Sequence, residues 1–103
     1  MADTKVTVLA TIKAKPGLEQ EVRQAVMALV GPTRSEPGCI NYDLHQSFDD
    51  KTHFMLYENW TSKSALDEHL NMPYLKDFLA RANDILARPV DITLWGMITQ
   101  VEK

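Results

Sequence analysis

Hydrophobic and polar residues alternate through Lys5-Val-Thr-Val-Leu-Ala-Thr-Ile-Lys-Ala14, which puts Val6, Val8, Ala10, Ile12 and Ala14 on one face of a predicted strand. Lys15-Pro-Gly17 breaks it, and the spacing changes. Leu18, Val22, Ala25, Val26 and Leu29 recur among Glu, Gln and Arg as the stripe of an amphipathic helix. Gly31-Pro32 is expected to bend or end that helix, and Glu36-Pro-Gly38 to close the segment. Period two returns in Ile40-Asn-Tyr-Asp-Leu-His-Gln46, with Ile40, Tyr42 and Leu44 in phase. It recurs in Phe54-Met-Leu-Tyr-Glu-Asn-Trp60, with Phe54, Leu56, Glu58 and Trp60 in phase. The turn formers of Phe48-Asp-Asp-Lys-Thr52 join these two strands as a hairpin. Thr61-Ser62 opens a short helix to Leu70, in which Leu66, His69 and Leu70 lie on one side. Pro73 suits the first turn of another helix, carried by Tyr74, Leu75, Phe78, Leu79, Ala82, Ile85 and Leu86. Pro89 stops it, and Val90–Ile98 reads as a last strand with Val90, Ile92, Leu94 and Ile98 in phase.

The order is βαββαβ with the second helical segment split in two. It predicts a ferredoxin-like α+β fold, an antiparallel sheet with helices on one face. Residues 1–103 are expected to form a single domain, because a chain of 103 residues is too short for two ordinary ones. The sheet face turned from the helices would carry Thr7, Leu9 and Thr11, Asp43 and His45, Met55 and Tyr57, and Trp95 and Met97. A monomer rarely leaves such a patch in water, so a second sheet is expected on it, most simply from a symmetric homodimer.

Charge and composition narrow the function classes. The net charge is −3 with acids and bases interspersed, and there is no basic stripe, so neither nucleic acid nor an anionic membrane is an expected partner. The apolar runs are far shorter than the roughly 18 residues of a membrane helix, and MADTKV has no signal-peptide core, so the expected compartment is the cytoplasm. The one cysteine, Cys39, follows a Pro-Gly turn with no activating partner in view. His45 and His53 have no acidic or Cys cluster at ligand spacing, so no metal site is expected. No Gly-rich phosphate loop or dinucleotide fingerprint occurs. These absences fit chemistry without a cofactor, and equally a protein that only binds.

The residues that carry chemistry gather around Glu58-Asn-Trp60 and His69. If the apolar side of the His69 helix packs on the Phe54–Trp60 strand, a carboxylate, an indole and an imidazole meet in a greasy interior able to move a proton. Histidine, with an ordinary pKa of about 6.5, can accept a phenolic proton near neutrality; the alternative is a helix-end residue touching solvent or a carbonyl. A buried Glu58 must be protonated or partnered, and it could orient His69, meet a substrate hydroxyl, or reach the rim of the sheet. Trp60 is either a large core side chain or a cavity wall that stacks on a planar ligand. Tyr42 shares the inward phase, Phe78 helps to shape the cavity, and Asn59 is a candidate to assist the base.

In their order and spacing, Lys15-Pro-Gly17, Glu36-Pro-Gly-Cys-Ile-Asn-Tyr42, Tyr57-Glu-Asn-Trp60, Ala65-Leu66, His69 and Met72-Pro73 resemble the antibiotic biosynthesis monooxygenase superfamily, and most of all its small bacterial quinol monooxygenase-like proteins. The resemblance implies a dimeric α+β barrel with a pocket between sheet and helices in each subunit. For some members it also implies oxidation of hydroquinone-type aromatics by O₂ without metal, flavin or other cofactor. On that basis the expected substrate is a small dihydroxy-aromatic, with His69 and Glu58 catalytic and Trp60, Tyr42, Asn59 and Phe78 binding it. Other members degrade haem or isomerise small phosphorylated sugars. The haem degraders use an asparagine on the first strand, where this chain has Val8-Leu-Ala-Thr11. Isomerisation of a small polar metabolite by the same acid and imidazole, and ligand binding without turnover, stay open.

Overall fold

In a computed structural model that describes residues 4–99, the chain forms β1 (Val6–Lys13), α1 (Glu19–Arg34), β2 (Cys39–Gln46), β3 (His53–Trp60), α2 (Lys63–Leu70), α3 (Pro73–Ile85) and β4 (Asp91–Trp95). Of the N-terminal stretch read for a signal peptide, residues 1–3 lie outside that range. The sheet order is β2-β3-β1-β4 and every neighbouring pair is antiparallel, the ferredoxin-like arrangement. Alternation buries Val8, Ala10 and Ile12 of β1 beside Phe54, Leu56, Glu58 and Trp60 of β3. These pack with Val22, Val26 and Leu29 of α1, Leu66 of α2, and Leu75, Phe78 and Ile85 of α3 into one core. Among the described residues no helix is long and apolar enough to cross a membrane.

Three details depart from the sequence expectation. First, α1 continues through Gly31-Pro32 to Arg34. Pro32 falls in the last turn, where its missing N–H removes one hydrogen bond, and the buried Leu29 and Thr33 on either side hold that turn in place. Second, Ile40 is not in phase with Tyr42 and Leu44. The ladder pairs Cys39 with Trp60 and Asn41 with Asn59, so Ile40 is the extra residue of a β-bulge and is 48% exposed. Third, the last strand ends at Trp95, and Ile98 is 97% exposed rather than in phase with the core. Ile92 and Leu94 lie opposite Ala10 and Val8 as their phase predicts, yet β4 is an edge strand exposed along its whole length.

Candidate functional site

The site begins with a helix cap. Ser62 Oγ accepts the N–H of Ala65 at 3.1 Å, the N-cap bond that starts α2 and sets its phase. That phase turns Leu66 and His69 inward, both 2% exposed. Against this helix lies the connection between α1 and β2. Gly38 O accepts the N–H of Thr61 at 2.9 Å, and a Cβ on Gly38 would stand 2.3 Å from Ala65 Cβ, so only glycine allows the connection to come this close. Two residues earlier, the connection delivers the buried carboxylate of Glu36 to His69.

Glu36 Oε2 lies 2.8 Å from His69 Nδ1, and the Tyr74 hydroxyl of α3 donates to the same oxygen. Burial, and then the bond to Glu36, push the Tyr74 hydroxyl up to about 12, so it stays a neutral donor. The imidazole lies tilted against the Trp60 indole, with centroids 4.6 Å apart and planes at 32°, and meets Tyr42 edge-on at 5.5 Å. Nδ1 is engaged by Glu36, whereas no hydrogen bond to Nε2 occurs among the described residues.

His69, Tyr42 and Glu58 are the polar groups of a narrow slot with about 40 Å³ of free volume. The remaining walls are hydrocarbon, chiefly Val8, Ala10 and Ile12 of β1, Leu66 of α2, and Leu75 and Phe78 of α3. Val90 and Ile92 line it on the β4 side, where Ile92 is also exposed to solvent. Glu58 accepts one bond in this surrounding, from Trp60 Nε1 at 2.9 Å. Burial lifts its carboxyl to about 7; the indole N–H pulls the other way, and the charge of Glu36 adds to the rise. Burial, and next the charge of Glu58, drive the Tyr42 hydroxyl far up, so Tyr42 is a neutral donor at any ordinary pH. The Cys39 thiol is raised to about 11, mainly by burial, and is no ready nucleophile. Among the described residues no group of three or more His, Cys, Asp or Glu stands ready to hold a metal.

The structure thus brings His69, Glu58, Tyr42 and Phe78 together on one cavity. Trp60 is wholly buried behind them. It holds Glu58 and backs His69, one layer from the ligand space where a stacking wall was expected. Asn59 is a correction: it lies on the opposite face of the sheet, accepting from Thr7 Oγ1 at 2.6 Å and donating to Asn41 Oδ1 at 2.9 Å. Strand alternation forces this, because Asn59 sits between two inward residues. Glu58 does not orient His69 either; Glu36 does, and neither Glu36 nor Tyr74 was singled out from the sequence. Glu36 is aperiodic, and its only signal is an acid directly before the Pro-Gly turn that leads into a strand.

A ferredoxin-like α+β domain with an acid and an imidazole in an apolar slot under its sheet is the class of protein these features define. Residues 5–81 match the model of the family described as antibiotic biosynthesis monooxygenase, and the chain belongs to that family. "Putative monooxygenase Rv0793" of Mycobacterium tuberculosis is 36% identical over 86% of this chain and 87% of its own length. Its solved structure superposes with a TM-score of 0.89 at 32% identity, covering 96% of this chain and 100% of that one. The crystal structure of PA3566 from Pseudomonas aeruginosa gives a TM-score of 0.88 at 35% identity, covering 96% and 99%. An uncharacterized protein of Synechocystis, sll1783, is 34% identical over 91% of this chain, which spans 64% of that relative's length. Family and relatives together support a monooxygenase role in general terms.

Proposed function

We propose that the protein oxidises a quinol or related dihydroxy-aromatic with O₂, using no cofactor, and that His69 is the base. The observation that carries this reading is the His69 ring itself: one nitrogen is tied to Glu36, and the other is free of protein partners beside a hydrocarbon-walled slot. Hydrocarbon walls match the faces of a flat aromatic, which a slot of about 40 Å³ must widen to admit, and its hydroxyl is the group that Nε2 would deprotonate. The resulting anion gives one electron to O₂, and the semiquinone and superoxide radicals combine. The adduct then collapses to a quinone that keeps one oxygen atom, while the other leaves in water with the two hydrogens lost by the substrate. The protein's part is deprotonation, orientation and exclusion of water. Glu58, which also lines the slot, would return a proton to the departing oxygen.

The test is enzyme-dependent oxygen uptake across a quinol panel, measured against buffer because quinols also autoxidise. No uptake above buffer with any quinol overturns the reading. Keto–enol isomerisation is the second reading, favoured by two acid–base groups on one cavity, and it would proceed without oxygen. A phosphorylated substrate fits poorly, since Lys76, Arg81 and Arg88 all stand exposed on the surface rather than in the slot.

The same proposal includes a homodimer through the outer sheet face. Tyr57 and Trp95 are 37% and 55% exposed there, an apolar surface that a second copy would cover. Light scattering at micromolar concentration should give twice the chain mass, and Trp95→Glu should shift it toward one.

A further inference from the structure

A neutral imidazole carries its proton on one nitrogen and offers the other as an acceptor, so the partner of Nδ1 decides what the cavity meets. In this protein that partner is a carboxylate oxygen, shielded from water along with the ring: the side chains of His69 and Glu36 are 3% and 6% exposed. The Tyr74 hydroxyl already donates to that oxygen, leaving it in the role of acceptor. A carboxylate has no proton to give, so the short contact to His69 requires a proton on Nδ1. The three groups come from the α1–β2 connection, α2 and α3, and the tight approach of Gly38 to Ala65 fixes the connection against the helix.

We infer that Glu36, steadied by Tyr74, is a positioning residue that locks His69 in the tautomer whose bare Nε2 faces the cavity. Its consequence for turnover rests on the reading of His69 as base; the tautomer itself is a property of the protein without substrate. When Nε2 takes the proton of a ligand hydroxyl, the O–H bond breaks and an N–H bond forms. Both ring nitrogens are then protonated, and the new positive charge lies beside the Glu36 carboxylate, which remains unprotonated. An amide oxygen in the same place would still accept from both Tyr74 and Nδ1, so the informative change is one that removes the acceptor. In Glu36→Leu the Tyr74 hydroxyl turns to Pro32 O and Nδ1 has no oxygen to donate to. Nothing then holds the proton on Nδ1, and the ring takes the Nε2–H form that a free neutral histidine prefers, which blocks the base.

The test is long-range proton–nitrogen NMR on histidine-labelled protein at alkaline pH, with the His69 signals identified by their loss in His69→Ala. The wild type should show the proton on Nδ1, and Glu36→Leu should move it to Nε2. Tyr74→Phe, which keeps the carboxylate, should leave it on Nδ1. On a substrate that turns over, Glu36→Leu should lose on the order of 10²–10⁴-fold in kcat, while Glu36→Asp, which retains a carboxylate, should recover part of it. A wild-type spectrum with the proton on Nε2 overturns the inference, as does a folded Glu36→Leu with an unchanged tautomer. Should Glu36→Leu not fold, the wild-type and Tyr74→Phe spectra decide the matter. Absence of oxygen uptake in the wild type overturns the quinol oxidation and leaves the tautomer result standing.

Discussion

Along the β2–β3 half of the sheet, Tyr42, Glu58, Trp60 and His69 are none of them more than 4% exposed, and hydrogen bonds or ring contacts hold each one. Across β1, the helix-facing Ile92 and Leu94 of β4 are 43% and 47% exposed. Both halves are strongly apolar, yet one is packed to a fixed geometry and the other is left open. His69, Tyr42 and Glu58 lie in the packed half, while Val90 and the exposed Ile92 line the slot on the side of the open one. Placement to fractions of an ångström needs over-determined side chains, whereas entry of a ligand needs surface that yields at little cost.

Substitutions can break this contrast at either end. The largest effect is expected in the packed half, where His69→Ala should lower turnover on an accepted quinol by roughly 10²–10⁴-fold while circular dichroism shows the fold intact. Full activity in that variant would move the role of base to Glu58. Next comes Glu58, whose carboxyl is raised from 4.5 to about 7 in the fold. The folded state therefore binds its proton more tightly than the unfolded one. Its stabilising share is fully present below pH 4.5 and is lost as pH rises through 7, a change of about 3 kcal/mol. Urea unfolding at pH 4 and pH 8 should show this fall in the wild type and lack it in Glu58→Gln; an equal fall in both would mean that Glu58 is not the group responsible. Gly38→Ala should cost about 1–3 kcal/mol, read as a lower melting temperature, because the added methyl collides with Ala65. At the open end Ile92→Thr should change stability by less than about 0.5 kcal/mol and act on KM instead. A drop in melting temperature as large as that of Gly38→Ala would erase the distinction between the two halves.

How far the sequence foretold this depends on the kind of signal each residue carried. Strand alternation placed Tyr42, Glu58 and Trp60 on the helix side, and helical spacing turned His69 toward them. The same alternation argued that Asn59 points away, and its candidacy as an assistant to the base set that aside. The expectation that Gly31-Pro32 bends or ends α1 rests on local propensity, which takes no account of the tertiary burial of Thr33 that carries the helix two residues further to Arg34. Ile40 could not be phased, because a bulge resets the alternation without leaving a mark in composition. Glu36 and Tyr74 escaped for a further reason: their partnership with His69 joins residues 33 and 38 positions apart, and no local pattern reports such a contact.

The bulge at Ile40 also decides where this strand can change length. Ile40 is already the residue outside the ladder, so removing it would leave Cys39 opposite Trp60, Asn41 opposite Asn59 and Tyr42 opposite Glu58. Removing Asp43 would instead make Tyr42 and Leu44 direct neighbours, and neighbours in a strand point to opposite faces. One of the two would then have to leave the cavity side. A one-residue deletion is thus absorbed at position 40, whereas three residues further on it rebuilds the wall of the slot.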